Sequence, residues 1–333
     1  MARTLARVVA PFVVSFALVA SATTHAAAAG GTQRLHKAAG YLASVQNPDG
    51  SFTAFSLVGS TADAVSAFVA SGVGAPNMKK AIGYLSSQVT AGEVNTIGLQ
   101  AKVVLAVVAA GRNPRSFAGQ DLVGEIEGTL QPSGQFGDAV VLDDALAALA
   151  LRAARVTPDA SVAGWLIAAQ CPDGGWAYDK PYDPGTDDAD CFDGSQNDFF
   201  TADSNTTSYV VQALEALGDD AWTDDPFAYF DTVRDPAHGG WSYSGDFVAT
   251  DANSTALVLQ AYDAAGRTIP SGGMDALRAL QYSTCGAFAY NWNGSDLGPP
   301  DIGATIGAVP ALAHQAFPVR GTAHGPAPSV PAC

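Results

Sequence analysis

The fold is decided by the stretch Trp165-Leu-Ile-Ala-Ala-Gln170-Cys-Pro-Asp-Gly-Gly-Trp176. It joins an apolar helical segment, ending in glutamine, to a glycine turn and a tryptophan. The same order recurs in Tyr41-Leu-Ala-Ser-Val-Gln46-Asn-Pro-Asp-Gly-Ser-Phe52 and, with arginine replacing glutamine, in 229–241. Weaker copies surround Gln88, Gln131 and Gln281. Six copies at intervals of about forty residues indicate one supersecondary unit repeated along the 333-residue chain.

A second helix of small apolar residues follows each copy, as in 203–218 and 251–266. Asp, Asn, Ser or Thr opens these helices as a cap, and glycine often closes them. They are apolar nearly all round, which predicts burial on both sides, whereas the first helices carry charge on one face and should lie outside. Six outer–inner pairs without polar capping repeats predict a closed ring. The expected fold is all-α, an (α/α)6 barrel or toroid over residues 30–320, followed by a Pro-rich tail, 321–333.

The N-terminus has the features of an export signal. Arg3 and Arg7 precede an apolar run, 8–20, and small residues follow as far as Ala29. This pattern predicts a secretory signal peptide, 1–29, and a secreted, extracellular protein. The apolar run is too short for a membrane span. With 32 acidic against 16 basic residues, the net charge of −16 disfavours nucleic-acid binding.

Four cysteines are present, Cys171, Cys191, Cys285 and Cys333. An even number in an exported chain predicts two disulfides, for which three pairings are possible. Sequence position favours Cys171–Cys191, which would close one loop, and Cys285–Cys333, which would hold the tail. No Cys-x-x-Cys is present, so a redox site or a zinc ribbon has no support.

The pattern Gln170-x-x-x-Gly174-x-Trp176 resembles the repeat of the squalene-cyclase and prenyltransferase, or terpenoid-cyclase, superfamily. The resemblance extends over the whole chain after residue 29. It implies the toroid scaffold, with the glutamine joining helix ends and the tryptophan packing over it. The catalytic signatures of the superfamily are absent: the segment 141–144, Val-Leu-Asp-Asp, lacks the first aspartate of Asp-x-Asp-Asp. The resemblance therefore predicts the fold and leaves the chemistry open.

Candidate site residues lie where the inner helices begin, because a toroid gathers these starts at one mouth. The sequences Asp203-x-Asn205 and Asp251-x-Asn253 place two polar groups at one start, where one cap is enough. The surplus group is available to a ligand. The candidate ligand-binding residues are Asp63, Asn95, Asn205, Asn253 and Asp301, and the candidate catalytic carboxylates are Asp203 and Asp251.

The fourth unit carries an acidic insertion between Tyr178 and Asp203. Like charges this dense repel one another unless they are solvated or share a cation. Calcium binds several carboxylates in a flexible loop, so Asp188, Asp190 and Asp193 are a candidate calcium site. The alternative is a solvated acidic lid beside the mouth.

Three functions fit the sequence. The first is a non-catalytic protein that binds an apolar or mixed ligand, or a protein partner, at the funnel mouth. The second is a terpene cyclase or mutase that uses Asp203 or Asp251. The third is a glycan-active hydrolase or lyase, which requires two carboxylates about 5–10 Å apart across an open cleft. Whether the protein is an enzyme at all stays open at this level.

Overall fold

The structure, a computed structural model, describes residues 16–179, 201–245 and 248–333. Its helices alternate along the chain between an outer and an inner layer. The outer helices are α1 (Phe16–Val45), α3 (Ala75–Ala91), α5 (Leu122–Glu127), α7 (Ala160–Ala168), α9 (Pro226–Thr232) and α11 (Gly273–Ala279). The inner helices are α2 (Leu57–Ser71), α4 (Ile97–Ala109), α6 (Val141–Ala153), α8 (Ser204–Leu217), α10 (Ala252–Ala264) and α12 (Ile302–Leu312). A 3-10 turn, Pro114–Ser116, precedes α5.

The inner helices form a closed ring. Each packs against the next in chain order, and α12 packs against α2. They are buried almost all round, so that in α2 every residue except Leu57 and Asp63 is buried. The predicted (α/α)6 toroid is therefore confirmed, with the apolar core between the two helical layers.

The repeated glutamine is a clamp between consecutive units. The Gln170 side-chain amide donates to the carbonyls of Gly174 and Asp224, both at 2.8 Å, which ties the glycine turn to the segment before α9. Gln281 makes the same kind of clamp to Arg34 of α1, donating to its carbonyl at 3.1 Å. The last unit is thereby bonded to the first.

The motif aromatic is buried and anchors its own inner helix. The backbone N–H of Trp176 donates to the Thr207 hydroxyl at 2.9 Å. Three further threonines one turn into an inner helix accept the equivalent bond, namely Thr61, Thr255 and Thr305. In the third unit Asp144 occupies this position and accepts from the Phe136 N–H at 2.8 Å.

Short antiparallel strands connect these turns to the starts of the inner helices. β1 (Trp176–Ala177) pairs with β2 (Ala202–Asp203), with Trp176 opposite Asp203. β3 (Phe288–Ala289) pairs with β6 (Pro300–Asp301), and β4 (Trp292–Asn293) pairs with β5 (Asp296–Leu297). The strands lie at the end of the ring where the inner helices begin.

The tail packs along the ring instead of extending from it. The His324 N–H donates to the Gly72 carbonyl, and the Ala75 N–H donates to Gly325, both at 2.9 Å. Cys333 then forms a disulfide with Cys285 of the last unit, as predicted. Cys171 is also disulfide-bonded. Its predicted partner, Cys191, lies outside the described residues.

At the other end of the chain, α1 includes residues 16–29 of the predicted signal peptide. Cleavage of this segment stays a prediction. Among the described residues no helix is both long and apolar enough to cross a membrane.

Candidate functional site

A funnel opens where the inner helices begin. Its main cavity measures about 710 Å³ up to the open mouth and is lined from α2, α4, α8, α10 and α12. An adjoining cavity of about 450 Å³ shares Asp63 and Lys102 with it and adds Asp143 of α6. All six inner helices therefore contribute to one concave surface.

One wall of the funnel is charged. The Lys102 ammonium on α4 lies 2.6 Å from the Asp63 carboxylate on α2, and about a quarter of each side chain is exposed (25% and 28%). Burial is the largest single influence and would lower the pKa of Lys102, but the charge of Asp63, its hydrogen bond and the nearby Tyr209 and Asp143 together raise that pKa above its ordinary value. The wall therefore holds a permanent cation.

Asp143 extends this wall on α6. Its carboxylate accepts a hydrogen bond from the backbone N–H of Gly98, in the first turn of the neighbouring inner helix. A Cβ at position 98 would collide with that carboxylate, so any larger residue there would have to displace Asp143. Burial raises the pKa of Asp143, while the charge of Lys102 and the Gly98 bond oppose the rise.

The opposite wall carries amides. The Asn205 Oδ1 of α8 and the Gln260 Oε1 of α10 are buried, and neither has a hydrogen-bond partner in the part of the chain that the structure describes. Gln260 is only 1% exposed, yet it lines the cavity together with Asn253. A buried unpaired polar group costs about 1–3 kcal/mol, so a polar partner at this wall would be stabilising.

The funnel is closed at its floor. Phe317, just after α12, lies with its ring centroid 5.8 Å from that of Tyr209. Its backbone N–H donates to the Gln212 Oε1 at 2.8 Å, which fixes the start of the tail beneath the cavity. Gly303 and Gly307 line the α12 side, and the absence of a side chain at Gly303 lets the Phe55 ring approach the helix.

The rim of the mouth is apolar and exposed. The large apolar side chains with the greatest exposure in the described ranges are Phe55, Leu57, Tyr243 and Tyr290. Phe55 and Leu57 lie at the start of α2, and Phe55 is 83% exposed. The carbonyls of Tyr243 and Tyr290 accept from the first N–H groups of α8 and α10, at 2.9 and 2.8 Å. Exposed apolar groups gathered at one mouth mark an interaction site.

The predicted catalytic carboxylates serve as helix caps in this structure. Asp203 Oδ1 accepts from the Thr206 N–H and Asp251 Oδ1 accepts from the Ser254 N–H, both at 2.8 Å. Burial raises the pKa of each carboxyl to about 6. Neither lines the two funnel cavities. Their catalytic role stays a prediction.

Of the five predicted ligand-binding residues, Asp63, Asn205 and Asn253 line the funnel. Asp63 lies in the second turn of α2 and not at its start, because Ser56 is the cap. Asn95 is exposed and precedes the cap of α4, which is Thr96. Asp301 caps α12, accepting from the Ala304 N–H at 2.6 Å.

Sequence reasoning missed Lys102 and Gln260. Lys102 is the single charged residue of α4, and a lone charge in a helix that is otherwise buried is a usable signal. The candidate calcium ligands Asp188, Asp190 and Asp193 lie outside the described residues. Within the described ranges no group of three or more His, Cys, Asp or Glu side chains could hold a metal ion.

No family model and no curated protein matches the chain. Solved structures do match. One is an inactive variant of the α-1,6-mannanase GH76A of Salegentibacter sp. HEL1_6, with two aspartates replaced by asparagine, in complex with α-1,6-mannotriose. It is 14% identical to this chain, with a TM-score of 0.57, and the match covers 85% of this chain and 98% of that one. The type II terpene cyclase MstE from Scytonema is 15% identical, with a TM-score of 0.55 over 85% and 97%. A protein from Actinoplanes is 14% identical, with a TM-score of 0.53 over 85% and 98%. At these identities the likeness shows the fold, so the chain is an (α/α)6 toroid of the kind that carries both a mannanase and a terpene cyclase.

Proposed function

We propose that the protein binds a carbohydrate in its funnel. The observation that carries this proposal is the pair of amide side chains, Asn205 and Gln260, which line the cavity and whose buried oxygens have no hydrogen-bond partner among the described residues. Sugar hydroxyls donate and accept hydrogen bonds, so they can pair with these oxygens and with the Asp63–Lys102 pair on the other wall. A hydrocarbon ligand would leave both acceptors unpaired, at about 1–3 kcal/mol each.

The rim supports the same class of ligand. A pyranose ring has an apolar C–H face as well as hydroxyls, and it needs apolar and polar contacts side by side. Phe55, Tyr243 and Tyr290 provide exposed aromatic rings above the polar cavity. The mannanase variant with this fold is in complex with α-1,6-mannotriose, so at least one protein with this fold accommodates such a ligand.

A terpene cyclase or mutase activity has less support from the geometry. Such an enzyme must stabilise a carbocation inside its cavity. The charged wall is an ion pair, Lys102 with Asp63, and it presents no aromatic face to a carbocation. The aromatic rings lie mainly at the rim and floor, and the amide wall faces the space that a hydrocarbon would fill.

The proposal predicts that Gln260→Leu weakens carbohydrate binding about tenfold, because one buried hydrogen bond to the ligand is lost. Isothermal titration calorimetry with α-1,6-mannotriose and a panel of neutral oligosaccharides measures this. Gln88→Leu, on the outer helix α3, is the matched control and should bind as the wild type does. Equal affinity for the wild type and Gln260→Leu would contradict the assignment of this amide. No binding to any carbohydrate in the panel would contradict the proposed function itself.

Glycoside hydrolysis is a second candidate, favoured by the unequal surroundings of two funnel carboxylates. Asp143 is half-buried with a raised pKa, as a general acid requires, whereas Asp63 is ion-paired with Lys102 and suits the role of base or nucleophile.

If the protein is a hydrolase, Asp143→Asn should reduce turnover about 10²–10⁴-fold while the dissociation constant stays within a few-fold. Release of reducing sugar from bound oligosaccharides measures turnover. Wild-type activity should fall as the pH rises through the raised pKa of Asp143, because the acid must be protonated to donate. A wild-type protein that binds an oligosaccharide without cleaving it would leave binding as the function.

A further inference from the structure

We infer that the funnel takes the end of a glycan chain and not an internal stretch, and that Phe317 sets how far the chain enters. This inference rests on the proposed carbohydrate binding. It concerns which part of the carbohydrate reaches the buried amides, which the proposed function leaves open.

The depth of the funnel supports end-on entry. Asn253 and Gln260 lie on the same helix, α10, and both line the cavity. Seven residues of α-helix span about 10 Å, so Gln260 lies about two turns below the mouth. Exposed aromatics mark the rim, and the unpaired Gln260 amide marks the bottom. A ligand that contacts both must lie along the funnel axis.

The closed ring supports it independently. Each inner helix packs against its neighbours and α12 packs against α2, so the wall has no lateral slot between helices. An internal stretch of a polymer has chain continuing from both of its ends. Both continuations would have to leave through the same mouth, which requires the chain to fold back on itself inside the cavity. A chain end needs only one exit.

Phe317 makes the funnel blind. A second cavity of about 540 Å³, lined by Arg152, Gln212 and Arg320, lies on the far side of the ring, and Phe317 lines both spaces. The Gln212 amide holds its backbone and Tyr209 packs against its ring. Phe317 therefore stands between the funnel and an opening at the opposite face.

The test measures how many protein molecules bind to each glycan chain. The first probes are α-1,6-mannotriose, α-1,6-mannohexaose and linear α-1,6-mannan, which differ in length. The second are maltohexaose and α-cyclodextrin, which share a linkage, but maltohexaose is linear and has ends whereas α-cyclodextrin is a closed ring. Titration calorimetry and analytical ultracentrifugation give the ratio. End-on binding predicts no more than one protein per chain end however long the chain is, and no binding to the cyclodextrin when maltohexaose binds. A ratio that rises with chain length, or equal binding to the cyclodextrin, would overturn this inference and leave carbohydrate binding intact. No binding to any probe would overturn both.

Phe317→Ala tests the role of the floor. Removing the ring joins the two cavities, so binding of the trisaccharide should weaken roughly tenfold as contacts to the terminal sugar are lost. The ratio on linear mannan should then rise with chain length, because a chain can thread through. Phe317→Leu keeps an apolar plug and should behave as the wild type does, which separates the loss of the floor from a loss of folding. An unchanged affinity and ratio in Phe317→Ala would show that this residue does not set the depth.

Discussion

Replacing Asp144 by threonine should stabilise the protein at pH 7 by up to about 4 kcal/mol. Asp144 is 1% exposed and stands where other units have threonine. Burial raises its pKa from 3.8 to about 8, although the bond from the Phe136 N–H opposes the rise. Its Oδ2 has no hydrogen-bond partner in the described part of the chain. Threonine accepts the Phe136 bond without a charge to bury.

The direction of the pH dependence follows from proton binding. Between about pH 4 and pH 8 the native state keeps the Asp144 proton, which the unfolded chain has released. The stability of the wild type relative to Asp144→Thr should therefore fall by about 1.4 kcal/mol for each pH unit across this window. Asp203 and Asp251 titrate in both proteins, so their effects cancel in the difference.

Urea unfolding at pH 5 and pH 8 measures the difference, with the slope on denaturant checked for constancy. Asp144→Asn, which is also neutral and keeps an oxygen acceptor, should show the same trend. Asp138→Asn changes an exposed carboxylate nearby and is the control, for which we expect no pH-dependent gain. If the stability difference between the wild type and Asp144→Thr is equal at both pH values, the native state does not keep Asp144 protonated, and the prediction is wrong.

Removing the Cys285–Cys333 disulfide should destabilise the protein by about 4 kcal/mol. The two cysteines are 48 residues apart, and the cost of closing a loop of that length in the unfolded chain gives this magnitude. The loss of stability should be larger than for a tail that makes no contact with the ring. His324 and Gly325 also hydrogen-bond to the turn between α2 and α3, and these bonds are weakened once the disulfide no longer holds the tail.

The double variant Cys285→Ser/Cys333→Ser avoids a free thiol and leaves the Cys171 disulfide oxidised. Its melting temperature should fall by several degrees, measured by calorimetry at a fixed scan rate. Ser329→Ala changes an exposed tail residue and should melt as the wild type does. An unchanged melting temperature for the double variant would mean that noncovalent contacts alone hold the tail.

The architecture was predictable because its signal is repeated. Gln170 and Trp176 each satisfy a local requirement, a clamp and a buried anchor, that recurs in the other units, so several weak copies support one another. Asn205 and Asn253 were predictable as funnel residues for a related reason. They stand two positions after an aspartate that caps the helix, which leaves the amide free to face the cavity.

The rest of the site depends on contacts between distant residues. Asp203 and Asp251 each use a carboxylate oxygen to cap their own helix and lie outside the lining of the two funnel cavities, and their catalytic role stays a prediction. Lys102 and Asp63 are 39 residues apart, and their pairing exists only once α2 and α4 lie side by side. The role of Asp144 likewise becomes clear only from the structure, where threonine hydroxyls accept the backbone N–H of the motif aromatic residue in other units.

The bond between Gln281 and Arg34 has a consequence for how this architecture can change. In an open stack of repeats, units can be gained or lost at the ends, because an end is only a surface. Here the sixth unit is clamped to the first and the tail is tied back to the sixth, so the ring offers no free end to extend. The number of repeats is therefore fixed by the closure of the ring and not by the length of the chain. A circular permutation that starts the chain at a different turn keeps all six units and the same ring, whereas a chain that lacks one unit cannot close this ring.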